Sequence, residues 1–124
     1  MSTYFSDEET SCHCCGQLPD GGMNPVLMEK LDALREMIGG PIEISCGYRC
    51  PAHNAEVGGV PDSQHVLGNA ADVQTPSYEA CCTPEQLHWF CQQIGFDGIG
   101  LYSWGCHVDC RDNGESPNAY NWEG

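Results

Sequence analysis

The residues able to do chemistry in this 124-residue chain gather between positions 45 and 72, SCGYRCPAHNAEVGGVPDSQHVLGNAAD. That stretch holds two metal-ligand types, His65 with an imidazole nitrogen and Asp72 with a carboxylate oxygen, six residues apart in the chain's interior count. Gly68 between them tolerates the backbone angles of a tight reversal, and Ala70 and Ala71 leave room for close approach around an ion. Catalytic zinc takes three protein ligands and keeps one position open. His107 is the best third donor. It sits in CHVDCR, an alternating segment that reads as a strand, so His107 and Asp109 project from one face. Arg49, one of only four basic side chains, follows a strand-like run; its rigid fork matches a carboxylate, although an ordinary surface ion pair is the alternative. His53 either lines the same cleft or is a solvated or capping histidine.

The elements that must position these groups are legible from caps and periodicity. Asn24 and Pro25 open a helix in which Leu27, Leu31, Leu34 and Ile38 form one apolar stripe, and Gly39, Gly40 and Pro41 end it. A short strand over 42–45 delivers the chain to the central stretch, where 51–57 reads as one or two helical turns and 58–62 as a loop. Beyond Asp72, residues 73–80 read as a polar loop leaving the strand. Thr83 and Gln86 have capping-box spacing, Pro84 suits the first helical position, and Leu87, Phe90, Cys91 and Ile94 give the buried face up to Gly95. Residues 98–102 and 106–111 read as two strands joined by a turn at 103–105. The polar segment 112–124 reads as a tail whose Tyr120 and Trp122 are available to pack back on the domain.

Length predicts a single domain over 1–124, with a cysteine-rich N-terminal segment over 1–23. A formal charge of −14, from 18 acidic against 4 basic side chains, repels polyanions and argues against nucleic acid or an anionic membrane surface as partner. Neither a signal peptide nor a membrane span is expected, which makes the cytoplasm the default compartment, with release to the cell wall open. The ten cysteines suit free thiols in a reducing compartment or disulfides in an oxidising one. Cys12, His13, Cys14 and Cys15 also resemble half of a structural zinc site that Cys46 or Cys50 could complete.

Taken together, SCGYRCPAHN, VGGVPDSQHVLGNAADV and GIGLYSWGCHVDCR resemble the M15 zinc peptidases, the D-alanyl-D-alanine carboxypeptidases and phage-type endolysins, over about residues 24–111. The resemblance rests on Ser63-x-His65, Gly68-x-Ala70-x-Asp72 and His107-x-Asp109. It implies a small α+β fold with an antiparallel sheet flanked by helices, and zinc held at the sheet by His65, Asp72 and His107. It further implies that Arg49 binds a substrate carboxylate or developing oxyanion, that Ser63 shapes the site, and that the substrate is a peptidoglycan stem peptide. Members of the group carry an acid or histidine three residues before the last ligand as general base; here that position is Trp104. Asp109, on the face of His107, is then the candidate base, or else it orients a ligand or pairs with Arg49. Two other readings stand beside hydrolysis: a zinc-binding domain of the same fold that binds peptide or protein without cutting, and an interaction domain whose His/Asp set binds no metal.

Overall fold

Backbone caps decide where the helices start. In the computed structural model, which describes residues 4–59, 63–76 and 81–124, the Asn24 side chain accepts the Val26 N–H and Pro25 takes the first helical position. Helix α2 therefore runs Pro25–Ile38, and Gly39 closes it in the left-handed conformation. Leu27, Leu31 and Leu34 are fully buried on one stripe, with Ile38 packed beside them. Each such leucine contributes on the order of 1.5–3 kcal/mol relative to exposure. Helix α4, Pro84–Ile94, opens with the reciprocal capping box of Thr83 and Gln86 and buries Leu87 and Cys91. Two short helices complete the set: α1, Asp7–Thr10, boxed by Ser6 and Glu9 within the segment read only as cysteine-rich, and α3, Pro51–Glu56.

The five strands are β1 Glu43–Cys46, β2 Ala70–Gln74, β3 Gly98–Tyr102, β4 Gly105–Asp109 and β5 Tyr120–Glu123. They form one sheet in the order β1-β2-β4-β3-β5. All neighbours are antiparallel except β3 and β5, which are parallel. The architecture is a small α+β domain, and period-two alternation splits its sheet into two faces. Ala71, Val73, Ile99, Cys106 and Val108 turn into the core against α2 and α4. Asp72, His107 and Asp109 occupy the other face.

Two sequence expectations need correction. Strand β2 continues to Gln74, where a loop was expected from Val73, because Val73 is fully buried and pairs with Ile44 and Cys106. The segment 112–124 is no loose tail. Buried Asp97 accepts the backbone N–H groups of Asp112, Gly114 and Ser116 at 2.9, 2.8 and 2.9 Å, folding that loop back so that β5 can pair along β3. The expected loops at 58–62 and 73–80 extend into residues 60–62 and 77–80, which lie outside the described residues. All ten cysteines are free thiols, and Cys91, Cys106 and Cys110 serve as small apolar groups of the core. No helix among the described residues is long and apolar enough to cross a membrane.

Candidate active site

Register builds the centre. Antiparallel pairing of β2 with β4 sets Asp72 opposite His107 and Ala70 opposite Asp109, so the three polar side chains share one face. His65 arrives from the tight turn that precedes β2. Its backbone N–H donates to Ser63 Oγ at 3.3 Å, the Val66 N–H to the Ser63 carbonyl at 3.0 Å, and Gly68 at φ 74° reverses the chain toward the strand.

Both imidazoles converge on a single carboxylate oxygen. His65 Nε2 lies 3.3 Å and His107 Nδ1 3.2 Å from Asp72 Oδ1, with the two rings edge-on at a centroid separation of 5.2 Å. Each ring's far nitrogen has its own partner. His65 Nδ1 donates to the Gly47 carbonyl at 2.8 Å, and His107 Nε2 meets Asp109 Oδ2 at 2.8 Å. A carbonyl only accepts, so Nδ1 carries a proton, and an ion beside Asp72 would take Nε2 in place of the proton held there.

Asp109 has no exposed surface. Arg111 grips it through Nε to Oδ1 at 2.9 Å and Nη2 to Oδ2 at 2.7 Å, and the Arg111 N–H adds a third bond at 3.2 Å. The Arg49 pairing considered for Asp109 is therefore replaced by Arg111. Gly98 lies directly across from Asp109, and a Cβ there would collide with the carboxylate. On the outer edge, Trp122 of β5 packs its ring 5.2 Å from that of His107 and donates to Tyr102 Oη at 2.7 Å.

The electrostatics favour positive charge at the centre. Burial acts to raise the Asp72 carboxyl, yet the two imidazoles beside it hold it well below the usual range. Burial likewise acts to lower His65, but Asp72 and Cys46 carry it up to about 10. His107 is raised against its burial by Asp109 and Asp72. Asp109, opposed by its own burial, is held low by Arg111 and His107. Protons thus occupy ground that a cation would take. Two imidazole nitrogens, each aimed by a further hydrogen bond, and a carboxylate oxygen form a donor set that fits a borderline-soft divalent ion. The group at this centre whose ligand atoms all lie within 4.8 Å of one another is Cys46, His65 and Asp72, and His107 meets it at Asp72 Oδ1.

A cavity of about 550 Å³ opens over this centre, lined among others by Arg49, Ser63, Tyr102 and Trp104. Arg49 points along its wall, donating to Asn54 Oδ1 at 2.9 Å and Cys46 Sγ at 3.7 Å, and makes no salt bridge among the described residues. Trp104 is partly exposed and stacks on Tyr102 at 5.1 Å. Among the described lining residues, Asp72 is the one carboxylate. His53 does not line the cavity; it lies instead with Cys14 and Glu56.

A family model, Peptidase M15, matches residues 3–111. This chain belongs to the peptidase M15 family. It is also similar to the zinc D-Ala-D-Ala carboxypeptidase of Streptomyces albus G, with 36% identity over 73 residues, 56% of this chain. The chain spans 29% of that relative's length. Three parts of this M15 site escaped the sequence reading. Arg111 sits two residues from Asp109, where strand alternation gave the signal; Cys46 was considered only for the N-terminal cysteines; Trp122 belonged to the segment read as tail.

Proposed function

We propose that this chain is a zinc metallopeptidase that hydrolyses amide bonds of peptidoglycan stem peptides, as a D-Ala-D-Ala carboxypeptidase or an endopeptidase of the endolysin kind. His65, Asp72 and His107 are its zinc ligands. The observation that carries this reading is the meeting of both imidazoles on Asp72 Oδ1 beneath a cavity walled by Arg49. When bound, zinc supplies a Lewis acid for the scissile carbonyl and makes water acidic enough to act as nucleophile near neutral pH.

The chain's own residues divide the remaining work. The Arg49 fork binds the substrate's terminal carboxylate or the developing oxyanion. Ser63 holds the turn that aims His65. Asp109 fixes the tautomer of His107 and turns Nδ1 toward Asp72. It is a positioning residue in this account, because both its oxygens are engaged and it has no exposed surface. The general-base role considered for it from sequence is given up.

One observation favours a second reading. With Trp104 at the position three residues before His107, and with Asp72 the one lining carboxylate, the same domain could bind stem peptides without cutting them. Incubating the zinc-loaded protein with defined muropeptides and reading products by mass decides between them. Loss of a terminal alanine or opening of a cross-bridge is expected. Saturable binding with no product would hand the domain to the second reading, and failure to retain zinc would defeat both.

A further inference from the structure

We propose that Cys12, Cys15 and Cys50, with His53 as fourth donor, bind a second zinc-class ion in a closed structural site separate from the His65–Asp72–His107 centre. The sulfur atoms of the three cysteines lie within 4.8 Å of one another. The sequence supplies them in Cys12-x-x-Cys15 and Cys50-x-x-His53, two pairs with ligand spacing, the second at the start of α3. Cys46, the other partner considered from sequence, is engaged at the first centre.

The backbone is already arranged for thiolates. Cys12 Sγ accepts the Cys50 N–H at 3.4 Å, and the Cys14 and Cys15 amides also turn toward it. Cys50 Sγ accepts the His53 N–H at 3.4 Å. Amide donors aimed at sulfur stabilise its anion, the form that binds metal. His53 Nδ1 is an independent sign. It is buried and has no hydrogen-bond partner, and a ring nitrogen of His53 lies within 4.8 Å of ligand atoms of Cys14 and Glu56. His53, whose backbone N–H is bonded to Cys50 Sγ, carries an imidazole nitrogen with no hydrogen-bond partner, and an ion at the neighbouring thiols would give it one. A disulfide accounts for less, since pairing any two of three thiols leaves the third sulfur and the histidine unused. Binding would release the three thiol protons to solvent, and the soft sulfur donors select a zinc-class ion over magnesium or calcium.

The consequence for the fold lies on the turn after β1. The Tyr48 N–H donates to the Thr10 carbonyl at 2.7 Å, and Arg49 stands between Tyr48 and Cys50. An ion at this cluster would fasten the N-terminal segment to the turn that presents Arg49 to the cavity.

The test is a count of ions by native mass spectrometry on the full chain purified under reducing conditions with zinc present. Two zinc ions per chain are expected, with one retained in His65→Ala and one in the Cys12→Ser/Cys15→Ser double variant. Cobalt in place of zinc should show thiolate charge-transfer absorption that persists in His65→Ala and vanishes in the cysteine variant. Cys15→His, which keeps a donor, should keep the second ion if the loss in the serine variant reflects ligation rather than misfolding. The melting temperature of the double variant should fall by roughly 10 °C, on the scale of a tightly bound ligand. A single ion that disappears entirely in His65→Ala, or a mass deficit of two hydrogens mapped to Cys12, would overturn the proposal. Because the count is made site by site, loss of the peptidase reading would leave this result standing, and the reverse also holds.

Discussion

Two regions of this molecule gather metal-ligand side chains, and they do so by different means. At the sheet, ligands come from paired strands whose register sets Asp72 against His107 and Asp109 against Gly98. At the N-terminal segment, sulfur atoms come from turns that touch through backbone amides. The first group is nitrogen and oxygen, lies beneath a cavity, and has its far atoms tied to Gly47, Asp109 and Arg111. The second is mostly sulfur. An open position over hard and borderline donors is what hydrolysis needs, whereas a closed set of thiolates suits fastening. Paired strands hold geometry for chemistry, and an ion at the sulfurs would fasten the turn of Cys12 and Cys15 to the start of α3.

The largest effect expected from this contrast is at His65. His65→Ala should cut turnover of a stem peptide by about three powers of ten or more, because the polarising ion is lost with its ligand. Cys15→Ser should instead lower the melting temperature while turnover, measured well below it, stays within about tenfold. Equal losses of turnover in the two variants, measured by steady-state kinetics beside thermal melts, would erase the functional distinction between the regions.

Next in size is a gain. Trp104 lines the cavity and is partly exposed, so Trp104→Glu can be tolerated and places a carboxylate where the described lining lacks one. A positioned general base contributes about 10²- to 10⁴-fold, and kcat should rise by about a hundredfold if proton transfer limits the parent. If the variant binds zinc and peptide as the parent does and kcat is unchanged, the strand-borne centre is not waiting for a base.

How much of this was legible in sequence depended on whether a local signal existed. Helices α2 and α4 were, because Asn24, Pro25, Thr83 and Gln86 act on their own backbone neighbours. His65, Asp72 and His107 could be singled out as donor types, but their convergence depends on β2 meeting β4 across 35 residues. The fate of 112–124 was hidden because it turns on one buried carboxylate, Asp97, accepting three amides from a loop with no apolar period. Cys46 and Cys50 are four residues apart and serve different clusters. No spacing rule could have separated them, since the β1 turn sends one side chain to the cavity and the other toward Cys12.

A smaller effect probes how the strands hold the centre. Asp109→Asn keeps the size of the side chain but weakens its bond to His107 Nε2 and its grip on Arg111. Zinc affinity should fall by about 10- to 100-fold, with excess zinc restoring most of the turnover. Competition with a chromophoric chelator measures the first and a zinc titration of activity the second. A loss of rate with zinc affinity intact would return Asp109 to the role of base and weaken the claim that this face is purely a rigid holder.

The smallest effect lies where the two regions join. Arg49 belongs to the cavity by its side chain and to the N-terminal turn by its neighbours, with Tyr48 bonded to Thr10 and Cys50 to Cys12. Arg49→Lys preserves the charge but loses the fork that meets a carboxylate with two parallel bonds, and it loses the bond to Asn54 Oδ1. Turnover efficiency should drop by roughly ten- to thirtyfold while zinc content holds. The split between KM and kcat locates the contact. If Arg49 grips the substrate's terminal carboxylate, the loss falls mainly in KM, and peptides with an amidated terminus should bind the parent as poorly as the free acid binds the variant. If it steadies the oxyanion, the loss falls in kcat and amidation changes little. Unchanged kinetics with both peptides would leave Arg49 as a brace for the turn, and the two regions would then meet in structure alone.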